Sequence, residues 1–258
     1  MLDEPPGAET VGKDPEAVRK LIEKIEASVR LDHADRDAII ALPYEVRHYS
    51  RGAAMVVEAE PPHVCAFLLD GWASQQKHTD DGKREIVGLM IPGDFVDLQN
   101  IFLRKSDHEA QSLTDTSAFA VPLRALQDLV FDRPAIGRAL WIDALVAASI
   151  YREWLVNLGR RDALARIAHL LCELARRLER TGLIVEAQYE LPLTQEQVGD
   201  ITGLTSVHVN RVFKKLVSQG LIVRYGRMIE IPNLGALGAA AGFDATYLHL
   251  DQMLDRAD

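Results

Sequence analysis

The sequence predicts an α+β chain: a strand-rich N-terminal half, then a long central helix, then a C-terminal winged helix-turn-helix. Three observations carry this reading. From Val46 to Val121, short runs such as "AMVVEA" and "REIVGLMI" alternate with turns that bear glycine or proline. After Pro134 the apolar residues recur at helical spacing. From Leu193 to Pro232, two short helical patterns flank a glycine and are followed by two short strands around Gly226.

The 258 residues suffice for one large domain or two ordinary ones. A hydrophobic fraction of 48% and a charged fraction of 26% are those of an average globular protein. No stretch approaches the roughly 20 uninterrupted apolar residues of a membrane helix. The opening "MLDEPPGAETVGKDPE" also lacks the basic-then-apolar order of a secretory signal, so a cytoplasmic protein with no membrane partner is expected. Two cysteines, Cys65 and Cys172, are too few for a four-thiolate iron–sulfur cluster or a cysteine-based zinc site, and no metal site is expected. A buried free thiol in each half is the expectation for both.

Net charge is −9, which by itself argues against a polyanionic partner. Its distribution reverses that inference. Between Leu204 and Ile229 stand Arg211, Lys214, Lys215, Arg224 and Arg227 with no acid, which leaves −14 on the rest of the chain. A basic patch on an acidic protein marks a local surface for an anionic partner.

Residues 1–13, rich in Pro, Gly and Glu, predict a disordered tail. Asp14-Pro15 then starts a helix, with Val18, Leu21, Ile22, Ile25 and Val29 on one face. The strand-rich stretch follows, punctuated by Arg51-Gly52, Pro61-Pro62, Asp81-Gly82 and Pro92-Gly93-Asp94. This pattern suggests a small antiparallel barrel or sandwich, with a hairpin at Asp80-Asp81-Gly82. Past Pro134, the residues Leu140, Ala144, Ala147, Tyr151, Trp154 and Leu158 have the spacing of a coiled-coil seam, the expected dimer contact. A second stripe, Trp141, Leu145, Ala148 and Leu155, lies beside it, so the helix has two faces to bury. Asn157-Leu158-Gly159 is expected to interrupt this helix. The next one buries Leu164, Ile167, Ala168, Leu171, Leu174, Ala175 and Leu178 and stops at Gly182.

The segment "LPLTQEQVGDITGLTSVHVNRVFKKLVSQGLIVRYGRMIEIP" is the most specific part of the chain. Thr194 and Gln197 match a capping box for a helix over 195–202. Gly203 permits a sharp turn, and Thr205 caps a second helix. On that helix Val209, Val212, Phe213 and Leu216 form a stripe for burial, while Val207, Asn210, Arg211 and Lys214 share the opposite side. A helix in the DNA major groove needs such a face. Arginine pairs with guanine, asparagine with adenine, and an apolar group meets the thymine methyl. Ser206, Val207, Asn210 and Arg211 are therefore the candidate base readers, with double-stranded DNA as partner. Thr194, Thr205, His208, Lys214, Lys215, Arg224 and Arg227 are the candidate phosphate contacts.

These elements together resemble the Crp/Fnr superfamily of bacterial transcription regulators, over about Leu31 to Leu237. "LTQEQVGDITGLTSVHVNRVFKKL" is similar to that family's DNA-binding motif, and "GDFVDLQNIF" to the entry of its effector-binding segment. The resemblance implies a β-roll (a cupin-like jelly roll) of sensor type over 14–133 with leading helices, and a dimerisation helix over 134–159. It further implies a winged helix-turn-helix over 160–237 and a C-terminal tail over 238–258. It implies a homodimer on an inverted-repeat operator, and RNA polymerase as partner if the protein activates transcription.

The chain departs from the family in its effector segment. Asp97 and Leu98 fill the place of the Gly-Glu pair that holds the ribose of cyclic AMP. His108 and Glu109 fill the place of the Arg-Ser pair that takes its phosphate. A carboxylate is electrostatically wrong beside a phosphate, which argues against cyclic AMP, and no cofactor is expected. His48, His63, His78 and His108 leave haem, or an atypical nucleotide, open as an alternative switch. Val207 also stands where many members carry a base-reading glutamate, whereas Arg211 matches the family's arginine. An enzyme docked to nucleic acid is the third reading. It lacks support from a phosphate-cradling glycine loop, a nucleophile elbow or an acidic metal cluster, so no catalytic residue is expected.

Overall fold

The computed structural model describes residues 8–184 and 187–250. The chain groups into two compact units, residues 8–77 with 89–147 and residues 78–88 with 148–250.

In chain order the first elements are strand β1 (Ala8–Gly12) and helices α1 (Pro15–Glu26) and α2 (His33–Ile40). Seven strands follow: β2 (Glu45–Tyr49), β3 (Ala54–Val56), β4 (Val64–Asp70), β5 (Ala73–His78), β6 (Arg84–Met90), β7 (Glu109–Ser112) and β8 (Thr116–Pro122). A 3-10 turn, Leu98–Ile101, precedes β7, and helices α3 (Leu123–Asp132) and α4 (Pro134–Arg160) close the series. The strands form two four-stranded sheets, ordered β1-β2-β8-β4 and β3-β7-β5-β6. The turn spacing predicts a small antiparallel barrel or sandwich, and these sheets form the β-roll that the resemblance implies. Alternation along the strands divides the core in two, because successive side chains leave a strand on opposite faces. Phe67, Phe119 and Val121 pack against α1, α3 and the start of α4, while Leu68 and Ala118 join Met55, Ala73, Met90 and Ala110 in a second cluster.

The N-terminal expectation needs correction. Residues 8–12 are not a tail but β1, which pairs antiparallel with β2 from Ala8↔Tyr49 to Gly12↔Val46. Its burial is slight, so hydropathy carried no signal, and the strand is held by the edge of β2. Residues 1–7 of the predicted tail lie outside the described residues.

The second unit holds α5 (Ala163–Arg180), β9 (Gln188–Glu190), α6 (Gln195–Thr202), α7 (Ser206–Ser218), β10 (Val223–Tyr225), β11 (Met228–Glu230) and α8 (Leu234–Ala241). A 3-10 turn at Ala245–Leu248 ends it. The α5 stripe predicted from spacing is buried from Ile167 to Leu178, and Gly182 ends the helix in the left-handed region at φ +70°. The predicted tail from 238 is another correction. Asn233 caps α8 through Ala236 N, and Leu237, Ala241 and Leu248 are buried on the α5 side. Residues 251–258 lie outside the described residues.

Two expectations for α4 also change. The helix does not break at 157–159 but runs through to Arg160, and Asn157 Nδ2 donates to the Arg166 carbonyl at 3.3 Å. That partly buried bond ties Asn157 to α5. The seam residues do not remain free. Leu140 sits in the β-roll core and Trp154 is buried with its indole N–H bonded to Glu173, while Leu158 lies against the Gly203 turn. Ala144 and Ala147 are half-buried and Tyr151 is exposed. The apolar stripe left open is the second one, with Trp141 58%, Leu145 59% and Leu155 69% exposed. Spacing alone cannot rank two adjacent stripes; packing against the rest of the chain does.

Candidate nucleic-acid interface

The helix-turn-helix is built from local sequence signals. Thr194 Oγ1 accepts the Gln197 amide at 3.1 Å, and Gln197 Oε1 accepts the Thr194 amide at 2.8 Å, so α6 starts with both donors satisfied. Gly203 turns the chain at φ +64°, in the left-handed region where a Cβ is strained. Thr205 Oγ1 then accepts the His208 amide and starts α7. Val209, Val212, Phe213 and Leu216 are buried as their spacing predicts. Ser206, Val207, Arg211, Lys214 and Lys215 are exposed, and Asn210 and His208 are half-buried. Val207 is 69% exposed, an apolar side chain turned to solvent on a basic face.

Two residues that spacing did not single out hold this geometry. A Cβ on Gly199, in the middle of α6, would enter the van der Waals radius of the Leu204 carbonyl oxygen. Leu204 N also donates to the Gly199 carbonyl at 3.0 Å, so the turn closes directly onto α6. Arg166 of α5 donates to the Thr202 carbonyl at 2.9 Å and to the Arg161 carbonyl at 2.9 Å, pinning that turn. A mid-helix glycine between Val198 and Asp200 was the available signal for the first; no sequence signal marks the second.

The wing forms as predicted, with Val223↔Glu230 and Tyr225↔Met228 paired across Gly226, and β9 adds a third strand through Ile229↔Tyr189. Arg224, a candidate phosphate contact, is partly held within the domain. Its guanidinium stacks 4.3 Å over the Phe213 ring and Nε donates to the Gly226 carbonyl, and burial lowers its pKa. It fastens the wing to α7. Arg227 stays exposed, with Glu190 at 3.8 Å, and Lys214 and Lys215 are exposed too. On α6, Asp200 accepts two bonds from Arg84, at 2.9 and 2.6 Å.

The effector-like segment is a closed polar cluster. Asp97 is 4% exposed; its Oδ2 accepts from Asn100 Nδ2 and from Ser106 Oγ, and lies 3.7 Å from His108 Nε2. His108 Nδ1 faces Asp107 at 2.9 Å. Leu98 packs against the helical side of the roll and Glu109 pairs in β7 opposite Gln76. The basic side chain that faces the Asp97 carboxylate is that imidazole. Of the four histidines named for a haem, His48, His63 and His78 are exposed and His108 is buried. Both cysteines are free and buried; burial pushes the Cys172 thiol up to about 12.

Burial pushes the Asp97 carboxyl up to about 6, against the opposing pull of His108. The folded state therefore holds this proton more tightly than the unfolded chain between about pH 4 and 6, and the group's contribution to stability declines as pH rises through that window. Asp97→Asn, which cannot ionise, is expected to stabilise the protein above pH 6 by on the order of 2 kcal/mol and to change little at pH 4. Thermal melts at both pH values test this, and coincident melts of the two proteins at pH 8 would show that the carboxylate is fully compensated.

Comparison with known proteins agrees with this architecture. Residues 46–133 match the cyclic nucleotide-binding domain model and residues 165–240 the Crp-like helix-turn-helix domain model. The transcriptional activator protein FnrL of Cereibacter sphaeroides is 28% identical over 206 residues, covering 77% of this chain and 81% of the relative. The structure of FixK2 from Bradyrhizobium japonicum superposes with a TM-score of 0.73 at 26% identity, over 79% of this chain and all of that one. The c-di-GMP-responsive regulator CLP of Xanthomonas campestris shares the fold, with a TM-score of 0.63 at 19% identity over 78% of this chain and all of that one. With the β-roll, the long helix, the split-faced α7 and the wing all in place, the chain belongs to the Crp/Fnr superfamily and is a DNA-binding transcription regulator.

Proposed function

We propose that this regulator works as a homodimer on an inverted-repeat operator, with Ser206, Val207, Asn210 and Arg211 of α7 reading base edges in the major groove. The observation that carries this reading is the acid-free exposed face of α7 opposite a fully buried apolar stripe. Arg211 suits guanine O6 and N7, Asn210 an adenine edge, and Val207 a thymine methyl. Val207 in place of an acid removes a cytosine contact, so the half-site differs from that of relatives that carry glutamate there. Lys214, Lys215 and Arg227 supply phosphate contacts and hold the register. The half-sites would lie about 34 Å apart, one helical turn. Relatives named as transcriptional activators favour activation here, with RNA polymerase as the further partner.

Selection of bound sequences from random duplex DNA by the purified protein tests the reading. An enriched inverted repeat is the expected result; no enrichment, with or without added cell extract, would sink it. The dimer contact is assigned to Trp141, Leu145, Ala148 and Leu155, the stripe on which Trp141, Leu145 and Leu155 are 58%, 59% and 69% exposed. Leu145→Glu is expected to give a monomer by sedimentation and to weaken operator binding by roughly 10²-fold, because a lone recognition helix forfeits the avidity of a linked pair. A dimeric Leu145→Glu protein would move the interface elsewhere.

The cyclic-nucleotide pocket of the family is not used for a nucleotide in this reading. A buried carboxylate at Asp97, with Leu98 beside it and Glu109 next to His108, disfavours a phosphodiester. Neither cyclic AMP nor cyclic GMP at millimolar concentration should then move the melting temperature.

A further inference from the structure

The C-terminal segment past the wing does more than cover α5. Three pieces of chain converge on one buried carboxylate, that of Glu173 on α5, which is fully buried. Its Oε2 accepts from Trp154 Nε1 of α4 at 2.9 Å and from Tyr247 OH of the C-terminal turn at 2.9 Å. Its Oε1 accepts from Arg177 at 3.3 Å, one helical turn on. Burial and the Glu173 carboxylate raise the Tyr247 pKa, so the hydroxyl stays a donor. Around this centre the His169 ring stacks on Tyr247 and meets Phe243 edge-on, at centroid distances of 5.7 and 5.1 Å. Burial, with Arg161 nearby, pushes the His169 imidazole down to about 4, so it stays neutral as an aromatic face. Arg161, in the link between α4 and α5, donates to Glu153 of α4 at 2.6 Å and to the Gly242 carbonyl at 3.3 Å. His249 Nε2 lies 3.4 Å from Ser149 Oγ of α4.

A buried carboxylate is costly, and an apolar group of the same shape would often give a more stable core. What the carboxyl group contributes is directionality: it takes donors from α4, α5 and the C-terminal segment together, which ties the two helices at one angle. α7 packs on α5, so whatever sets the α4–α5 angle also sets where α7 stands relative to the C-terminal half of α4.

We propose that the segment Leu234–Leu248 is a brace that fixes the angle of the α4–α5 hinge and thereby the separation of the two recognition helices in the dimer, with Tyr247 and Glu173 as its positioning residues. The proposal rests on the homodimer reading above. It makes the braced chain selective for one spacer length between half-sites, because each added base pair moves a half-site by about 3.4 Å along the duplex.

The test uses full-length protein and duplexes carrying the selected half-site at the selected spacer and at spacers one and two base pairs longer or shorter. Wild type is expected to lose about tenfold or more in affinity per base pair of error. Tyr247→Phe removes only a hydroxyl, and Trp154→Phe removes only the opposing donor and part of a ring; circular dichroism confirms their folding. In both, the penalty should fall to about threefold or less while the base preference within each half-site is kept. A residue that merely stabilises the fold would lower affinity at every spacer alike, and that result, or an unchanged spacer penalty in the folded variants, overturns the brace. Equal tolerance of all spacers by wild type overturns it too. Failure of wild type to select any inverted repeat strikes the homodimer reading itself, and so is told apart from failure of the brace.

Discussion

Arg211→Ala is expected to weaken binding to the selected operator by about 1–3 kcal/mol per half-site, hence roughly 10²-fold or more for a dimer, and to relax the guanine preference at one position of each half-site. The side chain is exposed on α7 among Ser206, Val207 and Lys214, and among the described residues it has no partner that its removal would disturb. The melting temperature should therefore hold. Lys214→Ala is the contrasting change. It should weaken binding evenly across sequences and make the slope of log affinity against log salt shallower by about 1 for each phosphate no longer neutralised. Fluorescence anisotropy with matched and mismatched duplexes over a salt series separates the two. An Arg211→Ala protein that keeps its base preference would remove Arg211 from the reading face.

Gly199→Val should abolish operator binding by a different route. The Cβ of any substituent meets the Leu204 backbone carbonyl, which no rotamer change can relieve, because the obstacle is main chain and the Leu204 amide is bonded back to Gly199. Relief requires the turn between α6 and α7 to open, which would tilt α7 away from its seat on α5. Overpacking of this kind costs about 1–3 kcal/mol or more, and its two γ-carbons put valine at the upper end. Thermal unfolding should show the loss, and DNA binding should vanish even at temperatures where the variant stays folded. Full operator affinity in a folded Gly199→Val protein would show that the turn has slack the packing does not reveal. Gly199→Ala should fall between wild type and valine in both readouts.

Legibility of the interface followed from how local its determinants are. The capping box at Thr194 and Gln197, the glycine at 203, the cap at Thr205 and the two faces of α7 each depend on residues within a turn of one another. Such features can be read from spacing, and the structure returned them at the expected positions. The packing of Arg224 was not legible, for the converse reason. Its charge and place on the wing suggest a phosphate, but the Phe213 ring that captures it comes from a different element, and only the tertiary fold brings the two together. Asp97 was legible as a departure from the family's pocket. Its raised pKa was not, since that follows from burial beside His108, Asn100 and Ser106, which arrive from separate turns.

The sequence by itself determined a strand-rich antiparallel half, the long helix, the helix-turn-helix and its basic face, because periodicity, capping and turn chemistry act over a few residues. Tertiary structure alone decided which stripe of α4 stays open, that residues 8–12 add a strand, and that the chain beyond the wing returns to α5 and meets Glu173 and Trp154. Those outcomes depend on competition between distant surfaces for burial and on donors that converge from three parts of the chain. Leu140 and Leu145 are both leucines on one helix; what separates a core residue from an open one is what the rest of the chain places against it.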